Sequence, residues 1–181
     1  MKKMLSLFII AGILTTAIQS LTAQDKTAAG KLVYAELAGP GIIMSMNFDS
    51  RFQSDTRLGF GYRLGVGIIE SYMNNANSFM DLYEYFTKNN YSFPVGLNYV
   101  FGKPNMVSGF EIGAGITLLT QKVSLYNWGV KKPGNIVGHL AFMYRMTPLK
   151  KGFSFRGGFT PMIGTAGNLF PMGAVSFGYA F

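Results

Sequence analysis

From Gly109 to Gln121 the chain alternates between two kinds of residue: Phe110, Ile112, Ala114, Ile116 and Leu118 share one parity, and Gly109, Glu111, Gly113, Gly115, Thr117 and Gln121 share the other. A period of two is the signature of a β-strand with unlike faces, one oily and one small or polar. The pattern recurs at Leu58–Ile68, where Phe60, Tyr62, Leu64 and Val66 oppose Gly59, Gly61, Arg63, Gly65 and Gly67. A water-soluble barrel turns its bulky apolar residues inward, and a membrane barrel turns them outward to lipid. The direction of these faces therefore decides what kind of molecule this is.

The alternation cuts the chain into eight segments: Lys31–Ala38, Gly41–Phe52, Arg57–Ile69, Tyr91–Phe101, Gly109–Gln121, Asn135–Met146, Phe153–Ile163 and Pro171–Phe181. Their lengths suit the roughly 9–11 residues a tilted strand needs to cross a bilayer, and an even number suits a closed antiparallel barrel. The oily parity runs through Ile42, Met44, Met46 and Phe48, then Phe93, Val95, Leu97, Tyr99 and Phe101, then Leu140, Phe142 and Tyr144, and finally Val175, Phe177, Tyr179 and Phe181. Facing water, this surface would be rows of Phe, Tyr, Ile and Leu; buried, it would leave water a surface mostly of Gly, Ala and Ser. Lipid outside and a polar interior satisfy both faces. An unpaired edge in hydrocarbon costs several kcal/mol per backbone group, so the sheet must close. The fold class read from the sequence is all-β: an eight-stranded antiparallel transmembrane β-barrel.

The connections fit that reading. Asp49–Thr56, Gly102–Ser108 and Thr147–Gly152 are short, whereas Ser71–Asn90 and Lys122–Gly134 are long, the pattern of short periplasmic turns and long external loops. Phe48, Phe52, Tyr99, Phe101, Tyr144 and Phe153 stand beside the short turns as an interfacial girdle. Gly39-Pro40-Gly41 reads as a tight external hairpin, because Pro40 cannot donate to a ladder and glycine tolerates turn geometry. Ahead of the first strand, Lys2 and Lys3, the apolar run Met4–Leu14 and the small-residue stretch to Gln24 read as a cleaved signal peptide over 1–24, leaving a barrel domain over 25–181. Removing Lys2 and Lys3 from the 16 basic residues leaves 14 against 8 acidic ones, or +6, and the charges are scattered. A nucleic-acid partner would need them clustered.

With the strands placed, several strings stand out: Val33-Tyr34-Ala35-Glu36-Leu37, Pro94-Val95-Gly96-Leu97-Asn98-Tyr99-Val100-Phe101-Gly102-Lys103, Phe155-Arg156-Gly157-Gly158-Phe159-Thr160-Pro161 and Phe177-Gly178-Tyr179-Ala180-Phe181. The chain resembles the small Gram-negative outer-membrane β-barrel proteins, eight-stranded barrels like the OmpA transmembrane domain. The resemblance implies an outer-membrane location and contact with outer-membrane lipids and lipopolysaccharide. It also implies a barrel-assembly signal at Phe177, Tyr179 and Phe181, read by the barrel-assembly machinery. It implies a destination rather than an activity.

Glu36, Arg63, Glu111, Arg145 and Arg156 all fall on the polar parity. Inside a narrow barrel they must pair, since an isolated buried charge is very costly. The reading is a salt-bridged plug in a structural or surface-binding protein; the alternatives are a narrow solute channel gated by those pairs and a lipid-modifying enzyme. His139 is the only histidine and would be the base in any Ser-His mechanism. Lipid A deacylases of the outer membrane carry His and Ser two apart on a strand face, but here those positions are Val137 and Ala141. Ser124, in a loop, is the remaining nucleophile candidate, and the favoured reading of His139 is a satisfied luminal histidine. Without cysteine and with one histidine, no metal site and no cofactor are expected. Asp81 and Glu84 in one long loop, and Trp128 beside Tyr126 in the other, read as ordinary loop packing, with an external surface for a ligand or partner as the alternative.

Overall fold

A computed structural model describes residues 29–53, 55–69, 90–123, 134–164, 167 and 169–181. The segment expected to be a signal peptide lies outside the described residues, as do Asp81, Glu84, Ser124, Tyr126 and Trp128. The strands are β1 (Lys31–Ala38), β2 (Met44–Arg51), β3 (Gly59–Ile68), β4 (Tyr91–Gly102), β5 (Ser108–Val123), β6 (Gly134–Met146), β7 (Gly152–Phe159), β8 (Met162–Ile163), β9 (Leu169–Phe170) and β10 (Gly173–Ala180). Neighbours run antiparallel in the order β5-β4-β3-β2-β1-β10-β7-β6, and β5 pairs with β6 to close the ring.

These ten strands make eight staves. Phe159 faces Phe142 and Met162 faces His139, a single register along β6, so β7 and β8 are one stave. Phe159 also faces Gly173, and Met162 faces Phe170. That register sets Pro161 opposite Pro171, and neither can donate to the ladder. The continuous strand expected over Phe153–Ile163 is therefore broken at this seam, where Thr160 N donates to Met172 O at 2.6 Å and Leu140 N to Pro161 O at 2.9 Å.

The oily parity faces outward. Phe110 is 65% exposed while the adjacent Glu111 is 1% exposed. The outward face is not uniform from end to end. Every aromatic ring pair among the described residues lies in the half nearer the short turns, including Phe60–Tyr99 at 4.8 Å, Tyr99–Phe101 at 4.5 Å, Phe110–Tyr144 at 5.8 Å and Phe153–Tyr179 at 6.1 Å. Toward the other end the exposed apolar residues among the described ones include Leu37, Met44, Val66, Phe93, Ile116, Leu118, Ile136 and Val175.

The turn between β1 and β2 departs from a simple external hairpin. Gly39–Gly41 form one turn of 3-10 helix, all three buried, between strands that pair through Leu37 and Met44. The hairpin is folded into the barrel mouth. Two residues with side chains make the inward bend: Ala38 at φ 59° and ψ −151°, and Ile42 at φ 79° and ψ −70°. The first conformation is one that glycine alone adopts readily, and the second is a strained γ-turn. Ile42 consequently swings inward to pack with the interior and Ile43 points out, the reverse of the parity expected from Met44, Met46 and Phe48. Gly41 to Ile43 thus leave the second strand, which begins at Met44. Replacing Ala38 with glycine should relieve the strain and raise unfolding stability by about 1 kcal/mol. Urea titration of the refolded barrel reads this directly, and a loss of stability would mean that the bend is not strained at Ala38.

Candidate functional site

The inward parity places a layer of ionised side chains across the half of the barrel nearer the short turns. Glu36 on β1 faces Arg63 on β3, with which it pairs, and Arg156 on β7, whose Nη1 lies 3.3 Å away. Ser176 on β10 donates to the same carboxylate at 3.0 Å. Glu111 on β5 accepts from Arg145 Nη1 at 3.1 Å, Arg156 Nη2 at 2.6 Å and Arg156 Nε at 3.1 Å. The structure brings together all five charged residues singled out in the sequence.

Two further members belong to the layer. Asp49 on β2 accepts from Arg51 Nη2 at 2.7 Å and from Arg145 Nη1 at 3.0 Å, joining β2 to β6 across the interior. Arg51 also donates to Asn98 Oδ1 at 2.6 Å and to the Gly59 carbonyl at 2.8 Å. Asp49 and Arg51 continue the Ser45–Asn47 parity, which was the available signal. Four guanidiniums thus meet three carboxylates, all nearly inaccessible to solvent. Charges this deeply buried persist only when they are paired and their remaining hydrogen-bonding capacity is satisfied. Asn47 and Asn98 supply part of that capacity, Asn47 to Arg63 and Asn98 to Arg51, Asp49 and Glu111. The Tyr34 ring lies beneath the layer, with Arg156 Cζ 4.4 Å and Arg63 Cζ 5.6 Å from its centroid, within cation–π range.

His139 sits above the layer. Its Nδ1 is 3.3 Å from Thr117 Oγ1, and Thr117 donates to the Pro40 carbonyl at 2.8 Å. A hydroxyl has one proton to give, and Pro40 takes it, so the imidazole must donate from Nδ1 and keep Nε2 as an acceptor. A small cavity with room for about one water lies between His139, Arg63, Asn98 and Glu111. Among the described residues, the hydroxyl within reach of His139 is this buried, already committed Thr117, a poor nucleophile.

Farther toward the mouth the polar interior expected from the sequence gives way to an apolar one. Ile69, Leu119, Val137 and Met162 form a buried cluster, with Ile42, Phe170 and Met172 packed against it. The Gly39–Gly41 turn lies against this end of the barrel, held by the Thr117 bond and by Ser92 Oγ donating to the Gly41 carbonyl at 2.8 Å. On β10, Phe177 and Tyr179 point outward and ring-pair with Phe155 and Phe153, and Phe181 is half-buried just beyond the strand. No group of three or more His, Cys, Asp or Glu that could hold a metal occurs among the described residues.

Closure of eight antiparallel staves around a side-chain-filled interior defines the class as an eight-stranded barrel of the outer-membrane type. The structure is similar to the crystal structure of the N-terminal β-barrel domain of Pseudomonas aeruginosa OprF, with a TM-score of 0.53 and 9% sequence identity, covering 87% of this chain and 100% of that one. No protein-family model matches the chain, and no curated protein matches it.

Proposed function

We infer that this protein is an integral outer-membrane barrel whose lumen is closed by the buried ion layer and the inward Gly39–Gly41 turn, and that it serves a structural or surface-binding role. The observation that carries this reading is the layer itself. Four arginines and three carboxylates on six staves are bonded to one another across the interior. A conducting path would have to part these pairs, and breaking a buried pair costs several kcal/mol. The outer-membrane location is supported by the outward oily face and by the likeness to the OprF barrel domain.

The test is electrical. Refolded into planar bilayers, the wild-type chain should give no discrete conductance steps. Steps that change on replacing Arg63 or Glu111 would establish a channel and overturn the closed lumen. Fractionation of the protein with soluble periplasmic contents would overturn the membrane reading altogether.

A further inference from the structure

We propose that the rim formed by the short turns is a binding surface for anionic phospholipid headgroups, and that Lys31, Lys103 and Lys150 are the residues that engage the phosphates. The proposal rests on the membrane-barrel reading and adds to it a lipid preference confined to one end.

Two observations converge on this rim. Lys103 lies in the turn after β4 and Lys150 in the turn after β6, while Lys31 opens β1 opposite Ser50, beside the turn after β2. All three are exposed, and none forms an ion pair with another described residue. Of the acids among the described residues, Glu36, Asp49 and Glu111 are consumed inside the barrel, which leaves Asp55 at this end beside the three lysines.

The second observation is the aromatic ring system immediately below. Phe153, 89% exposed, is two residues past Lys151, and Phe101 is two before Lys103. Tyrosine settles at the level of lipid headgroups, and here Tyr99 and Tyr179 ring-pair with Phe101 and Phe153. The rings thus hold the lysines at phosphate depth, within reach of a charged headgroup and well inside a Debye length. A basic residue at an anionic surface strengthens binding roughly fivefold, and three acting together should give a preference that is large and salt-sensitive.

The full chain, refolded in neutral detergent micelles, would be offered equal amounts of phosphatidylglycerol and phosphatidylcholine, and the retained lipid quantified by native mass spectrometry. Wild type should retain phosphatidylglycerol at least tenfold over phosphatidylcholine. The triple variant Lys31→Gln, Lys103→Gln, Lys150→Gln should bring the ratio near one. Equal retention by wild type, or an unchanged preference in the triple variant, would overturn the proposal. Heat-modifiable gel mobility, measured on the same samples, separates the two readings. A folded barrel without lipid preference refutes the headgroup surface alone, whereas a chain with no heat-modifiable form refutes the barrel reading beneath it.

Discussion

Replacing Arg156 with leucine is expected to remove about 3–5 kcal/mol from the unfolding free energy of the barrel. Arg156 is the hinge of the ion layer, since its guanidinium contacts Glu36 through Nη1 and Glu111 through Nη2 and Nε, and lies over Tyr34. Its removal leaves two carboxylates in a water-poor interior. Glu111 keeps Arg145 and Glu36 keeps Arg63. Neither remaining partner can take over geometry set by a planar fork that bonds both acids at once. Lysine at 156 should recover only part of the loss, because a point charge reaches one carboxylate well rather than two. Urea titration of the refolded protein, read by far-ultraviolet circular dichroism and by heat-modifiable mobility, measures both variants. A loss below about 1 kcal/mol for leucine would mean that water reaches the layer and screens it.

The second large effect is steric and comes from β10, the stave next to the one that carries Arg156. Gly178 on β10 faces Tyr34 on β1. A methyl group at 178 would lie 2.5 Å from Tyr34 Cβ and 2.8 Å from Tyr34 Cα, and would crowd the Val33 carbonyl. Backbone and Cβ atoms cannot swing aside as the end of a side chain can, so the two staves must separate. Gly178→Ala should therefore cost about 1–3 kcal/mol, the range for overpacking a well-filled interior. Gly173, on the same strand, supplies the control. A methyl there meets only the Gly158 carbonyl, at 3.6 Å. Gly173→Ala should be neutral or stabilising by up to about 1 kcal/mol, because alanine restricts the unfolded chain more than glycine does. Equal losses at both positions would show that the cost is one of strand propensity and not of room for Tyr34.

The barrel was legible because alternation is a property of each strand by itself. Phe110 and Glu111 need no knowledge of distant residues to be assigned to opposite faces, and the same holds for Arg63, Arg145 and Arg156. Partnership was less legible, because it depends on stagger. Asp49 meets Arg145, ninety-six positions away, only once the barrel has closed with its particular offset between strands. The inward Gly39–Gly41 turn and the reversal at Ile42 escaped a period-two reading for a different reason. They depend on two non-glycine residues adopting positive φ, which no side-chain pattern announces. The apolar upper interior was hidden as well. Leu119 and Val137 lie on the inward parity next to polar Thr117 and His139, and the change from polar to apolar happens along one face, not between faces.

The facing prolines of the seam have a consequence for the surrounding bilayer. Beyond them β9 pairs with β8 alone among the described residues, while β1 and β10 part company at Ala38 and Ala174. A strand edge with unspent hydrogen bonds must reach water or headgroups. On this side of the barrel the strand paired with described neighbours on both edges is the eight-residue β10. At about 3.3 Å per residue and a tilt near 40°, that is a layer about 20 Å deep, thinner than a typical bilayer core of about 30 Å. In a bilayer, lipids along this flank are expected to shorten or tilt to meet it, which would thin the membrane locally on one side of the barrel's circumference.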